Sequence, residues 1–204
     1  MSLCTFSPYL NRINVYLKAK LIGEEEFRSC LNKWWGMLCS YILPALSMTC
    51  ANAAFNVEVW NVLKVYDQTE CWRMYGKWAW AYMLYLELRV RHVEVTREVR
   101  GILRRVTANS TNRLSLPLAK LAHSNPCLVF AESVKQAMAY DNLIEAIGES
   151  ARSLTYLGYD VLIYSVLAAF TNTSKPRMKE DGTSVAMWLQ SKCIGTWECT
   201  IVYI

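Results

Sequence analysis

Residues 118–170 read LAKLAHSNPCLVFAESVKQAMAYDNLIEAIGESARSLTYLGYDVLIYSVLAAF, a stretch in which polar start residues alternate with apolar runs of helical spacing. Asn125 directly before Pro126 predicts a helix start, because Asn favours the N-cap and Pro at the first helical position loses no hydrogen bond. Phe130, Val134 and Met138 follow at steps of four and predict the buried face of this helix. The stretch therefore predicts a succession of short helices.

Two further start signals in the same stretch are Asp141 and Asp160, each of which is predicted to cap a helix. Gly158 lies between them and is predicted to end the first of these helices in the left-handed conformation that glycine adopts readily. The predicted apolar positions are Leu143, Ile147, Ala151 and Leu154 in the first helix, and Val161, Tyr164 and Leu167 in the second. A charged loop at 175–182 and one more helix are expected next.

Helical patterns extend over most of the remaining chain. Apolar spacing predicts helices at 10–21, from the acidic turn at 24–26 onward, and at 57–66, followed by a turn at 67–69. A long helix is predicted to begin near Trp78. The apolar stripe of that helix is Leu84, Leu88, Val95, Val99, Ile102 and Val106.

Residues 34–57 contain no charged side chain, and such a stretch is long enough to span a bilayer. Pro44, Asn52 and Asn56 interrupt it, however, and a spanning helix is normally richer in large aliphatic residues. Two buried helices that meet near Pro44 or in a turn at 49–52 are the simpler interpretation. We therefore expect no membrane contact.

The overall composition predicts a globular helical protein. The chain of 204 residues is 53% hydrophobic and 19% charged, shows no strand pattern before residue 197 and has no Gly-rich phosphate loop. Short helices joined by tight loops predict an all-α fold, an irregular α-solenoid of stacked antiparallel helices, although no fixed sequence period is found. We predict one helical segment over 1–190 and a non-helical tail over 191–204, either disordered or a read-through of the gene model.

The cysteines and histidines do not predict an enzyme or a metal site. The eight cysteines show no CxxC spacing, which predicts a reducing compartment. His123 and Cys127 are four residues apart, but Pro126 interrupts the helix between them and no further ligand lies nearby, so zinc is not expected. A Cys–His nucleophile pair stays open, although a histidine that bonds backbone carbonyls at a helix end is the favoured interpretation. No cofactor, metal ion or catalytic set is predicted.

An arginine-rich helix face is the best candidate for a binding site. Arg97, Arg100 and Arg104 recur at steps of three and four, and Arg105 adjoins them. Clustered cations can follow a nucleic-acid backbone, but aromatic residues for base stacking are missing from this face. A solvated face, or an ion-paired contact with an acidic neighbouring subunit, is therefore favoured over RNA. The net charge of +5 fits any of these.

Several phrases resemble the N-terminal helical region of the THO complex subunit 2 family. The clearest are HSNP at 123–126, YDNLI at 140–144, SLTYLGYDVLIY at 153–164 and RMKEDGTSVAMWLQ at 177–190. Weaker ones are CSYILPALS at 39–47, EVWNVLKVY at 58–66, RMYGKW at 73–78 and VTREVRGILRRVTANS at 95–110. The resemblance thus covers residues 39–190.

The resemblance implies a structural role. Family members are large scaffolds of the TREX machinery that couples transcription to mRNA export. The resemblance therefore implies that this chain is a non-enzymatic α-helical scaffold segment of the THO complex, located in the nucleus. The implied partners are other THO subunits, a DEAD-box RNA helicase and mRNA, the last contacted indirectly by this segment. The alternative is an RNA-binding helical module that uses the basic face at 97–105.

Overall fold

The computed structural model describes residues 24–106, 111–140 and 142–171. Within these ranges the regular elements are α-helices and one π-helical turn, and no strand is present, which confirms the all-α prediction. The helices are α1 (Glu24–Met37), α2 (Leu43–Ser47), α3 (Ala53–Leu63), α4 (Gln68–Leu84), α5 (Leu86–Leu103), α6 (Thr111–Ser124), α7 (Pro126–Ala137), α8 (Asn142–Ala151) and α9 (Tyr156–Thr171). The solenoid arrangement stays a prediction. The features predicted at 10–21, Asp141, 175–182 and 191–204 lie outside the described residues.

The uncharged segment folds as helices that are interrupted where the sequence suggested. α1 continues through a π-helical turn at Leu38–Ile42 into α2, and the N–H of Leu43 donates to the Leu38 carbonyl five residues back. This wider turn precedes Pro44, which has no N–H to donate and lies in the first turn of α2. Among the described helices, none is long and apolar enough to cross a membrane.

The chain leaves the helix at Met48 and enters α3 at Ala53, so the turn predicted at 49–52 is confirmed. Ala51 lies there with a φ of 25°, a left-handed conformation that costs a residue with a Cβ some strain. Its N–H donates to Ser124 Oγ at 2.9 Å, which ties the turn to the end of α6. Asn52 then caps α3, because its side-chain oxygen accepts from the N–H of Ala54.

The long helix predicted from Trp78 is wrong, because the chain forms two helices there. α4 ends at Leu84, Tyr85 is extended, and α5 begins at Leu86. Leu84 consequently lies at a helix end with 63% of its surface exposed. The other predicted stripe positions are buried, although Val106 lies beyond the end of α5. Neither Pro nor Gly marks the bend at Tyr85 in the sequence. Beyond the bend, α5 packs on both α4 and α7.

The boundaries of two shorter elements also differ from the prediction. The helix expected at 57–66 is α3, which begins four residues earlier at Ala53 and ends at Leu63. The turn expected at 67–69 is the start of α4, where Asp67 occupies the N-cap position. Both errors are at helix ends, where local sequence signals are least specific.

Gly158 and Asp160 do not have the predicted roles at a helix boundary. α8 ends at Ala151 and α9 begins at Tyr156, so both residues lie inside α9. A Cβ added at Gly158 would lie 3.4 Å from the Leu154 side chain, an ordinary van der Waals contact, so this helical position has room for a side chain. Asp160 is buried and accepts hydrogen bonds from Tyr75 Oη at 2.6 Å and Gln68 Nε2 at 2.7 Å. Its carboxylate therefore joins α9 to α4.

The helix start at Asn125 and Pro126 is confirmed, but the Asn125 side chain makes no capping hydrogen bond. Its Oδ1 instead accepts from Tyr82 Oη at 3.0 Å, and Tyr82 Oη lies 2.7 Å from Ser47 Oγ. Ser47 Oγ in turn accepts from Trp78 Nε1 at 2.8 Å. The Tyr82 hydroxyl has a single proton, which it donates to Asn125 Oδ1. Ser47 Oγ is therefore the donor in the hydrogen bond with Tyr82 Oη. This buried relay joins α2, α4 and the junction between α6 and α7.

The core is centred on α4. Its Trp78, Tyr75 and Tyr82 are the largest side chains in the described residues that are fully buried. The predicted face of α7 is confirmed for Phe130 and Val134, which are buried. α7 packs on α9 and α5, and α6 packs on α8. These contacts leave the opposite side of α5 open, and the predicted arginines lie there.

Candidate functional site

α5 positions the predicted basic face by burying its other side. Leu88, Val95 and Val99 pack inward, against the neighbouring helices α4, α6 and α7. Arg97, Arg100 and Arg104 recur at steps of three and four and therefore share the outer side of the helix. The structure brings these three arginines together. They line one open groove, of about 570 Å³, whose other lining residues are His92, Val93, Thr96 and Gly101.

Arg100 is held by an ion pair that the sequence did not reveal. Its Nε donates to Glu132 Oε1 of α7 at 2.6 Å, and Gln136 Nε2 donates to the same oxygen at 2.9 Å. Glu132 is 9% exposed. Burial alone would raise the pKa of Glu132, but the hydrogen bonds from Arg100 and Gln136 outweigh it and hold the pKa below its ordinary value. The positive charge of Arg100 is therefore largely compensated.

Glu132→Gln is expected to destabilise the protein in a pH-dependent manner. Because the folded-state pKa of Glu132 is lowered, its charged form adds stability above the ordinary glutamate pKa of about 4.3, and this contribution is lost as pH falls through the lower folded-state value. Urea unfolding of the two proteins from pH 7 downward should give a difference in free energy of unfolding that shrinks on acidification.

The matched control for that measurement is the same substitution in an Arg100→Gln background. There the main donor to Glu132 is absent, so the pH-dependent part of the difference should be smaller. A difference that grows on acidification would contradict the ion pair as the cause.

Arg97 and Arg104 are the cations of this face that remain available. Both are exposed, and within the described residues neither forms an ion pair. Arg105 differs from them, because its Nε donates to the carbonyl of Gly101 at 2.8 Å. Of the four predicted arginines, Arg97 and Arg104 are therefore available to a ligand. Arg100 is paired with Glu132 of α7, and Arg105 bonds a carbonyl of its own helix.

An exposed aromatic residue from outside α5 lies beside these arginines, although residues 97–105 themselves include none. A second groove next to the first is lined by Arg100 and Arg104 together with Gln136, Tyr140 and Leu143. Tyr140 is 60% exposed and follows the end of α7. The aromatic residue was missed because it is 36 positions from Arg104 in the sequence and reaches it only through the packing of α5 on α7.

The carboxylates of α5 lie in a different groove. Glu94 and Glu98 line an open cleft of about 970 Å³ together with Arg91 and residues of α6 and the turn after α2. Glu94 Oε2 is 3.3 Å from Arg91 Nη1. Lys120 of α6 also lines this cleft, so its two glutamates lie beside cations, whereas the lining of the arginine groove includes no carboxylate.

Burial disfavours the charged forms of both His123 and Cys127. His123 is half-buried in the last turn of α6, and burial lowers its pKa. Cys127 is buried in the first turn of α7, and burial raises its thiol pKa, so the nucleophilic thiolate is disfavoured. Across the described residues no group of three or more His, Cys, Asp or Glu is placed to hold a metal ion. The five cysteines in these ranges are free.

The described residues thus form an all-α protein whose candidate site is an open, charged helix surface. Two family models match the chain: THO complex subunit 2 N-terminus over residues 10–115 and Transcription- and export-related complex subunit over residues 118–192. The chain therefore belongs to the THO complex subunit 2 family, as the sequence phrases indicated.

Relatives from distant lineages agree with this assignment. THO complex subunit 2 of Homo sapiens is 33% identical over 154 residues, covering 74% of this chain and 10% of the human protein. The Arabidopsis thaliana protein is 31% identical over 174 residues, covering 85% of this chain and 9% of its own length. The Saccharomyces cerevisiae protein is 27% identical over 199 residues, covering 92% and 12%. The chain thus spans about a tenth of the length of the curated relatives it matches.

Proposed function

We propose that this chain is a non-enzymatic scaffold segment of the THO complex. In this role it holds other THO subunits and helps to place a DEAD-box RNA helicase on mRNA during transcription-coupled mRNP assembly and nuclear mRNA export. Its place of action is the nucleus. The observation on which the proposal rests is membership of a family whose matched models are named as a complex subunit and as an export-related subunit. The open surface of α5 is consistent with a role in binding.

The proposal is tested by recovering the tagged chain from nuclear extract with and without ribonuclease treatment. A scaffold segment should retain at least one other THO subunit after ribonuclease, because the contact is between proteins, whereas mRNA should be lost. The tag alone is the control for non-specific recovery. Recovery of a chain that is helical by circular dichroism but brings no THO subunit would contradict the proposal.

The second candidate function is direct RNA binding by the basic face at 97–105. The observation that favours it is Tyr140, because an exposed aromatic ring beside Arg100 and Arg104 offers a base-stacking surface next to backbone-binding cations. The compensation of Arg100 by Glu132 weighs against it. Binding through this face would depend on Arg97, Arg104 and Tyr140.

RNA binding has a distinctive salt response, which a fluorescent single-stranded RNA oligonucleotide can measure. If the face binds RNA, Arg104→Gln should weaken binding. It should also reduce the magnitude of the slope of log affinity against log salt by about 1, the loss expected for one phosphate contact. Glu132→Gln should strengthen binding, because it removes the charge that compensates Arg100. Lys33→Gln on α1 is the matched control, since Lys33 is exposed on a different helix. Equal effects of Lys33→Gln and Arg104→Gln would reject a specific RNA site.

A further inference from the structure

The outer side of α5 bears a regular line of side chains with two chemically different halves. We call it the outer stripe; its residues are Leu86, Val90, Val93, Arg97, Arg100 and Arg104. The steps along it are four, three, four, three and four, an average of 3.6 residues. That period is the one at which side chains share one face of a straight α-helix, and a row of this kind can pack into the groove of a second helix that lies alongside. The first half of the stripe is aliphatic and the second half is basic.

The aliphatic half belongs to an unusual concentration of exposed apolar surface. Leu86 is 69% exposed, Val90 54% and Val93 56%. Of the seventeen large hydrophobic side chains that are exposed in the described residues, seven lie between positions 80 and 93, at the corner between α4 and α5. Scattered apolar side chains on a surface are ordinary, but a local concentration of them marks a contact site.

From this geometry we infer that the outer stripe binds an acidic amphipathic helix of another protein. The partner helix presents aliphatic side chains to Leu86, Val90 and Val93, and carboxylates to Arg97 and Arg104. The apolar contacts exclude water at one end, and the charge pairs fix the register and direction of the partner at the other. The inference deepens the proposed scaffold function. It rests on that function only in identifying the partner as a THO subunit.

The charge pattern distinguishes this partner from a second copy of the chain. Two outer stripes packed in parallel would place arginines against arginines, and packed antiparallel they would place arginines against aliphatic side chains. Neither arrangement pairs the cations. RNA would leave the aliphatic half of the stripe without a matching surface. A helix with one aliphatic and one acidic half matches both ends of the stripe.

The test uses designed helical peptides of roughly three heptads, labelled with a fluorophore and added to the full chain. One peptide has leucines in the first half of its seam and glutamates in the second, and another has the reverse order, so that either direction of packing is sampled. We expect one of them to bind. Val90→Ser with Val93→Ser, and separately Arg97→Glu with Arg104→Glu, should each weaken that binding by about tenfold or more.

Matched controls keep this result interpretable. Val57→Ser on α3 and Lys33→Glu on α1 replace an exposed valine and an exposed cation elsewhere and should leave the affinity unchanged. A peptide with lysines in place of glutamates should not bind. Circular dichroism of each variant confirms that the helices persist, since all the substituted residues are exposed.

Several outcomes would overturn the inference. They are the absence of binding by both acidic peptides, equal binding of the lysine peptide, and unchanged affinity in the stripe variants. Loss of self-association in the stripe variants, measured by sedimentation, would make the occupant a second copy. RNA binding through the stripe without peptide binding would make RNA the occupant. A chain that binds the acidic peptide but recovers no THO subunit from nuclear extract would contradict the proposed function and leave this inference standing.

Discussion

Trp78→Ala is expected to lower the free energy of unfolding by about 4 kcal/mol, because the substitution leaves a large cavity in a core that collapses only partly. Trp78 is fully buried at the centre of α4. The substitution also removes the indole N–H that Ser47 Oγ accepts, which disturbs the relay to Tyr82. Urea unfolding followed by circular dichroism measures the change.

Trp80→Ala provides the matched control, two residues along the same helix. Trp80 is 63% exposed, so its replacement should change the free energy of unfolding by less than about 0.5 kcal/mol. Should Trp78→Ala fail to fold, Trp78→Phe still retains an aromatic ring but lacks the N–H, and should be less stable than the parent by about 2 kcal/mol. Equal effects at positions 78 and 80 would show that α4 is not the central helix.

Tyr75→Phe is expected to destabilise the protein by about 2 kcal/mol, because the buried Asp160 carboxylate loses one of its two hydrogen-bond donors. Burial, with Asp160 beside it, raises the pKa of Tyr75 far above its ordinary value, so its hydroxyl stays protonated and donates. Asp160→Ala should cost a similar amount, since it leaves the buried hydroxyl of Tyr75 unpaired.

A double-mutant cycle distinguishes this interaction from the helix cap that the sequence predicted. If Asp160 acts through Tyr75, the double variant should be more stable than the sum of the two single losses implies, with a coupling of about 1 kcal/mol or more. A simple N-cap would cost about 1 kcal/mol on its own and show no coupling to Tyr75. Tyr140→Phe, at an exposed tyrosine, is the control for loss of a hydroxyl.

Periodicity and start signals were sufficient to predict an all-α fold, but they did not separate α4 from α5 or place every boundary. Asn125 before Pro126 was read correctly as a start, since proline restricts the backbone whatever surrounds it. Asp160 was misread because a buried hydrogen-bond acceptor and a helix cap use the same residue type. The bend at Tyr85 left no local signal, since neither Pro nor Gly lies there, and only the folded structure shows that α5 turns to pack on α4 and α7.

The candidate site was also predictable only in part: the shared helix face was, but the tertiary contacts of its arginines were not. The spacing of Arg97, Arg100 and Arg104 placed them correctly on one side of a helix. The partner of Arg100 lies on another helix, because Glu132 of α7 is 32 residues away, and Tyr140, which shares a groove with Arg100 and Arg104, follows the end of α7. Spacing within one helix reports which residues share a face. Which of those residues are already paired depends on tertiary contacts that only the folded structure shows.

The uneven distribution of charge around α5 has a consequence for kinetics. Arg97 and Arg104 line a groove that includes no carboxylate, whereas Glu94 and Glu98 share their cleft with Arg91 and Lys120. An anionic molecule that diffuses toward the helix is therefore attracted mainly to the arginine groove. Added salt should therefore slow association while leaving dissociation, which depends on close apolar contacts, almost unchanged. The helix would orient an approaching molecule before any side chain touches it.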